Sequence, residues 1–301
     1  MASTARAQWV GLWAVLGLVT TTAAGAEPGV PPALLEHDAL QKRLSEPKLR
    51  LLDPRPKAEY DQGHIPGAVW VDPKAVAALA SRPGGLMDKE AWQAWITPLG
   101  IKEDSQVIVY DGKRQLDAAR LWWLLRHLGV ENVGLVNGAF PLWVSEKHPV
   151  TTDAPKVAPH AFPVKFRGGW LATKSDVLSA IKEGSARVVD ARTQAEYTGA
   201  DVKSKKGGHV PTACRLEWSD LVDQDGRFLD QATLRSKLAS AGIEGDKPAI
   251  THCQGGGRAS VDAFVLQRLG IPARNYYPGW SDWGNAEDTP IVQGTKPGSK
   301  P

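Results

Sequence analysis

The sequence repeats itself once, and that fact limits the folds open to it. Leu51-Leu52-Asp53-Pro54-Arg55 with Ala58-Glu59-Tyr60 returns 137 positions later as Val188-Val189-Asp190-Ala191-Arg192 with Ala195-Glu196-Tyr197. Gly63-His64-Ile65-Pro66-Gly67-Ala68 returns as Gly208-His209-Val210-Pro211-Thr212-Ala213 at an offset of 145. Val107-Ile108-Val109-Tyr110-Asp111 returns as Ala249-Ile250-Thr251-His252-Cys253 at 142. Leu128-Gly129-Val130 through Gly138 to Trp143 returns as Leu269-Gly270-Ile271 through Gly279 to Trp283. Blocks that recur in one order mean two copies of one unit. Within each copy, short apolar runs alternate with helical stretches such as Leu116–Leu128 and Asp262–Leu269. That alternation predicts an α/β fold, each copy a parallel sheet flanked by helices. With 301 residues, 42% of them hydrophobic and 23% charged, the chain is large and apolar enough for two such cores.

The copies differ most where the third block ends. The first places Asp111 there; the second places Cys253, followed by Gln254-Gly255-Gly256-Gly257-Arg258 and a helix opening near Ala259. Strand, glycine loop and helix start put a thiol above backbone amides that glycines allow to turn inward. The helix N-terminus adds partial positive charge at the same spot and favours the reactive thiolate. The plainer readings are a buried structural cysteine or half of a disulfide with Cys214, the sole other cysteine. Neither needs three consecutive glycines. Cys214, in Val210-Pro211-Thr212-Ala213-Cys214-Arg215-Leu216, reads as a small apolar residue of a buried strand.

These residues resemble the rhodanese-like sulfurtransferases. The loop CQGGGR is similar to their C-x-x-G-x-R form, and DxRxxxEY, GHxPxA and Gly-x-x-x-Trp occur in both copies. Arg258 follows Cys253 by five positions, whereas cysteine phosphatases and arsenate reductases use C-x5-R, one residue longer. The smaller ring suits a sulfur atom carried on cysteine. Two copies with the cysteine only in the second resemble the tandem thiosulfate and 3-mercaptopyruvate sulfurtransferases, whose first domain is catalytically silent. The resemblance implies two tandem rhodanese-like domains and a Cys253 nucleophile that takes the outer sulfur of a donor such as thiosulfate. It also implies release of sulfite and delivery of the sulfur to cyanide or a thiol, a protein thiol included. No metal or organic cofactor is required, and the histidines lack ligand spacing around cysteine pairs.

Around Cys253, the residues expected to bind substrate are Gln254, Gly255, Gly256, Gly257 and Arg258, with Arg192, Lys205 and Lys206. Arg258 can hold the donor's anionic oxygens or pin the loop to a carboxylate, and donor binding is the expectation. Arg192 is a further anion contact or a structural partner of Asp190, and the repetition of that pair as Asp53 and Arg55 favours the latter. Gln254 and Gly255 match neither the Arg/Lys loop of animal thiosulfate enzymes nor the Gly/Ser loop of mercaptopyruvate enzymes. Glu196 stands where relatives carry a substrate-binding arginine. The basic insertion with Lys203, Lys205 and Lys206 is the available replacement, steering anions as a cluster. The silent loop, Lys113-Arg114-Gln115-Leu116, lacks the glycines expected to let amides converge. His64 and His209 read as structural, His252 as partly buried, and Trp280 and Trp283 as pocket wall or core.

The formal charge of +3 gives no reason to expect nucleic acid or a membrane surface as partner. At the N-terminus, Arg6, an apolar run from Trp9 to Thr20 and Ala24-Gly25-Ala26 have the layout of a secretory signal. The run is too short to span a bilayer, so the expectation is export, to a periplasm, with cleavage after residue 26 and no membrane attachment afterwards. The remaining boundaries expected are a silent domain over 32–149, a linker over 150–166, a catalytic domain over 167–292 and a disordered tail over 293–301.

Overall fold

In the computed structural model, which describes residues 33–245 and 247–298 besides Met1, the copies form separate parallel sheets. The first contains β1 (Leu34–Leu35), β2 (Leu49–Asp53), β3 (Ala68–Trp70), β4 (Gln106–Val109) and β5 (Val133–Val136), in the order β1-β5-β4-β2-β3. The second contains β6 (Arg187–Asp190), β7 (Cys214–Arg215), β8 (Ala249–His252) and β9 (Ala273–Asn275), in the order β7-β6-β8-β9. The second order matches β3-β2-β4-β5, so the sequence repeat is a repeat of topology. Val107, Ile108 and Val109 in β4, like Ala249 and Ile250 in β8, are buried, as strands covered on both faces require.

β8 pairs with β6 in register from Arg187↔Ala249 to Asp190↔His252. The chain leaves β6 toward β7 on one side and β8 lies on the other, so the sheet order reverses between them. Ligands of open α/β sheets bind beyond the carboxyl ends of strands at such a point. Cys253 follows β8 directly, and Arg192 lies two residues past the end of β6.

The halves share a core. The helices Leu116–His127 and Gly257–Arg268, each running from its copy's key loop, pack on one another. Trp122 meets Phe264 edge-on at 5.0 Å between centroids, and Trp123 stacks on Tyr277 at 5.1 Å. One apolar cluster includes Trp92, Trp122 and Leu135 of the first half and Phe264, Leu266 and Tyr277 of the second. Arg227 of the second half adds ion pairs with Glu36 and Glu146 of the first, 2.6 Å each.

Residues 2–32 lie outside the described residues, and with them nearly all of the segment read as a secretory signal. The 150–166 segment runs along the first half: Thr151 bridges to His64, Phe162 and Val164 are buried, and Lys165 N–H donates to the Leu128 carbonyl. The tail corrects an expectation. Far from disordered through residue 298, it accepts a hydrogen bond from Thr212 at the Pro297 carbonyl and donates one from Gly294 to Thr198. His209 Nε2 also bonds the Lys296 carbonyl, so residues of the GHxP motif hold what Gly and Lys content alone suggested was loose. Cys214 is corrected in part: β7 is two residues long and the thiol is half-buried at the edge of the core.

Candidate active site

Cys253 is 2% exposed and packs with Ala191, Ala259 and Trp218 where β8 ends. The loop after it is fixed by its carbonyls. Trp280 N–H donates to the Cys253 carbonyl at 2.7 Å, and Ser281 N–H and hydroxyl donate to that of Gln254 at 3.0 and 2.6 Å. The Gly256 carbonyl accepts from Asn275 Nδ2 and Ser260 Oγ, both at 2.9 Å. With carbonyls turned outward, the amides are left over. Among the described residues, those of Gln254, Gly255, Gly256, Arg258 and Ala259 have no acceptor, while Gly257 N–H bonds the Gly255 carbonyl at 3.0 Å. One of the three glycines is required by shape. Gly256 has φ +76 and caps the Gly257–Arg268 helix, and a Cβ on it would overlap the Tyr277 ring. A Cβ on Gly257 would overlap the Arg120 guanidinium.

The silent copy shows what such a nest does with a negative charge. The buried Asp111 carboxylate accepts from Lys113 and Gln115 N–H through Oδ1, at 3.0 and 3.3 Å. Through Oδ2 it accepts from Asp117 and Ala118 N–H, at 3.2 and 3.3 Å. Aligned on the two helix starts, Asp117 and Ala118 correspond to Arg258 and Ala259, whose amides are vacant. The expectation that a loop without glycines cannot converge its amides is therefore overturned: Gln115 takes φ +68 where the active loop has Gly256. One half fills its nest with its own carboxylate, and the other leaves it open beside a thiol.

Arg258 is placed differently from the expectation. It forms a two-pronged ion pair with Glu196, Nη1 to Oε2 at 2.6 Å and Nη2 to Oε1 at 2.8 Å. Burial lowers the arginine's pKa, but Glu196 and the nearby Cys253 more than reverse this, and the net shift is upward. Burial raises the pKa of Glu196, and the Arg258 hydrogen bonds and charge outweigh it, leaving the carboxyl below its ordinary value. Glu196 is 4% exposed and also completes a capping box with Thr193 on the Gln194–Thr198 helix. The acid that seemed to displace a substrate-binding arginine is the partner of the loop's own arginine.

Arg192 is not offered to a ligand, which corrects its place among the binding residues. It is 1% exposed, bonded to Asp190 through Nε and Nη2 and to the Gly208 carbonyl at 2.8 Å, as Arg55 is to Asp53 and Gly63. The lysine cluster also dissolves on inspection. Lys203 pairs with Asp201 at 3.0 Å and Lys206 Nζ donates to the Ala286 carbonyl at 2.8 Å, leaving the Lys205 amine alone without a partner among the described residues. The insertion does border the loop, since Gln254 Nε2 donates to Ser204 Oγ at 3.2 Å and to Ser281 Oγ at 3.1 Å.

His209 and His64 each stack on a tyrosine, Tyr197 and Tyr60, and bond backbone carbonyls, in keeping with a structural role. His252 is fully buried, beyond the partial burial expected. Burial drives its pKa down to about 4 against the pull of Asp190, whose carboxylate lies 3.6 Å away. Trp280 is core, not pocket wall: it is fully buried beneath the Arg192 guanidinium, and its indole N–H donates to the Lys206 carbonyl. Trp283 is buried likewise.

Three residues at the site were not singled out from sequence: Trp218 against Cys253, Tyr277 against Gly256, and Arg120 against Gly257. Tyr277 did leave a trace, because by strand register Asn137 fills its place in the silent copy. A cavity of about 620 Å³ lies between the halves, lined by Gly255, Tyr277, Pro278 and Ser281 on one side and Arg82–Met87 on the other.

A sequence profile of the Rhodanese-like domain matches residues 36–146 and 173–286. Thiosulfate sulfurtransferase of Azotobacter vinelandii is 32% identical over 262 residues, covering 86% of this chain and 97% of the relative. Sulfur carrier protein TtuD of Thermus thermophilus is 33% identical over 280 residues, covering 88% and 98%. Among solved structures, the 3-mercaptopyruvate enzyme SseA of Escherichia coli superposes with a TM-score of 0.72 at 27% identity, over 83% of this chain and 99% of that one.

Proposed function

The chain belongs to the rhodanese-like domain family over both of its halves, and from that premise we propose that it carries sulfane sulfur from thiosulfate to cyanide or a thiol on Cys253. One observation carries the reading: a thiol at the end of β8, over amides with no acceptor, where the silent copy holds a carboxylate. The Cys253 thiolate attacks the outer sulfur of the donor. The S–S bond of thiosulfate breaks and sulfite leaves with its electron pair, so the persulfide's terminal sulfur keeps one negative charge. The vacant amides are suited to hold that sulfur, as preorganised donors that need no rearrangement when charge arrives. A thiophilic acceptor then attacks the terminal sulfur, and the Cys253 thiolate returns.

The test is sulfur loading and turnover in two serine variants. Cys253→Ser should abolish both and keep the fold, and donor-treated wild type should gain one sulfur on Cys253 by mass spectrometry. Cys214→Ser should keep most activity, since burial holds that thiol's pKa up and no amide ring surrounds it. Equal losses in the two variants would sink the assignment. A donor of the mercaptopyruvate type is the alternative, decided by rates with both donors side by side.

A second reading is a sulfur carrier that receives persulfide from a partner protein. It is favoured by the engagement of Arg258 with Glu196, which withdraws the loop's own cation from a small anionic donor. Steady turnover with thiosulfate and cyanide separates the two, because a carrier loads from its partner and not from the small donor.

We also propose export, supported by the Arg6, Trp9–Thr20 and Ala24-Gly25-Ala26 layout. Among the described residues no helix is long and apolar enough to cross a membrane. Protein purified from its own cell should begin at Glu27; an intact N-terminus would remove the proposal.

A further inference from the structure

The proposed reaction brings a doubly charged donor to a thiolate, and most of the cations expected to receive it are engaged elsewhere. Arg258 is held by Glu196, and of the inserted lysines only Lys205 is free. A further cation reaches the loop from the silent half. Arg120, on the Leu116–His127 helix, lies against Gly257 so closely that a Cβ there would overlap Nη2 and stand 2.7 Å from Nε.

That position is unfavourable as it stands. Gly257 opens the Gly257–Arg268 helix, a twelve-residue helix whose N-terminus carries partial positive charge, and a guanidinium beside it is repelled. Asp117 relieves this only in part, with Oδ1 at 3.3 Å from Nη1. Among the described residues, Arg120 Nε is buried and has no hydrogen-bond partner. A neighbouring donor is in the same condition. Tyr277 is 1% exposed, its ring is wedged between Trp123 and Gly256, and its hydroxyl has no hydrogen-bond partner among the described residues. Burial, with the Cys253 and Asp117 charges, pushes the phenol up to about 12 against the pull of Arg120, so it stays a donor at neutral pH. Two unsatisfied buried donors and a helix N-terminus meet beside the reactive loop, with Asp117 engaging only Arg120 Nη1 among them. Buried donors left in this way are costly, and an oxyanion satisfies them together.

We propose that Arg120 and Tyr277 form the oxyanion subsite of the donor, holding the sulfonate end of thiosulfate while its outer sulfur faces Cys253. The silent half then contributes a specificity residue to the reaction. This rests on the sulfurtransferase reading above and names the groups that bind its anionic substrate. It also explains why the site manages without the arginine that Glu196 replaces: the charge comes across the domain interface.

Single-turnover persulfide loading, followed by intact-mass spectrometry, tests it with Arg120→Ala, Arg120→Lys and Tyr277→Phe. With thiosulfate, Arg120→Ala should load roughly ten- to a hundredfold more slowly, the loss of one charge-assisted contact, and Tyr277→Phe roughly tenfold more slowly. Arg120→Lys should recover part of the loss, and sulfite should inhibit the first two variants correspondingly less. Capture of an uncharged organic trisulfide, in which the Cys253 thiolate bonds to the central sulfur and one organic thiolate leaves, and discharge of persulfidated protein to an uncharged thiol, should match wild type in all three. Loading of Arg120→Ala at the wild-type rate with thiosulfate, or an equal loss with the uncharged donor, would overturn the subsite. Should Arg120→Ala fail to fold, Tyr277→Phe and Arg120→Lys decide by the same two donors. A wild type that takes no sulfur from thiosulfate sinks the parent reading instead, a result distinct from an insensitive Arg120.

Discussion

Glu196 is the residue whose meaning changes most once its neighbours are known. Read in line with its relatives, it is a carboxylate where a substrate-binding cation belongs, and restoring arginine would be expected to help thiosulfate bind. In the folded protein it caps the Gln194–Thr198 helix and pairs in two places with Arg258. Glu196→Arg should therefore destabilise the protein by about 3 kcal/mol, because it strands Arg258 against a second cation in a largely buried site. Thiosulfate use should fall with it, as the loop's last residue loses its anchor. Denaturant midpoints for Glu196→Arg and for Arg258→Ala check this, and an Arg variant as stable as wild type with faster loading would restore the simpler view. The pair also has a pH window. Glu196 is shifted below its ordinary value in the fold, so its contribution is full above the unfolded carboxyl's pKa and is lost as pH falls through the folded one.

At the scale of elements, the two strand–loop–helix units differ by which negative group fills the nest. Asp111 satisfies four amides at the start of the Leu116–His127 helix, and its own desolvation is the largest influence on it, raising its pKa. Asp111→Ala should cost about 2 kcal/mol, read as a lower melting temperature, since it leaves buried donors without an acceptor. Sulfur loading on Cys253 should persist, because among the described residues the carboxylate's hydrogen bonds all go to its own loop and helix start. A loss of loading with unchanged stability would mean that the silent loop acts directly in the reaction. The vacant counterpart in the second unit is the cost of an open site, and its reward is a place for charge that arrives only with sulfur.

At the scale of the molecule, the halves share one apolar core. Trp122 and Trp123 of the first half pack on Phe264 and Tyr277 of the second, and Gln115 Nε2 donates to the Gly226 carbonyl at 2.7 Å across the interface. Trp122→Ala should destabilise by about 3–5 kcal/mol, the range for deleting a buried aromatic ring. Both halves should melt together in wild type and separate in the variant, seen as one calorimetric transition becoming two. Two transitions in wild type would mean that the shared apolar cluster does not couple the domains.

The repeat, the alternation of strand and helix, the silent and active assignments of Asp111 and Cys253, and the glycine loop all follow from the order of residues. Each is local, or is set by comparing one copy with the other. The Asp190–Arg192 pair was legible for the same reason, because the silent copy repeats it as Asp53 and Arg55. Which cation serves the thiol was not. Glu196 and Arg258 stand 62 residues apart and Arg120 and Gly257 lie in different copies, so neither contact leaves a periodicity or spacing in the sequence. Lysine content suggested a basic cluster, but the folded chain spends Lys203 on Asp201 and Lys206 on the Ala286 carbonyl. Sequence determined the kind of unit, its duplication and the reacting atom. Only the packing of one half on the other decided where the charges around that atom come from, because an ion pair depends on distance in space and not on distance along the chain.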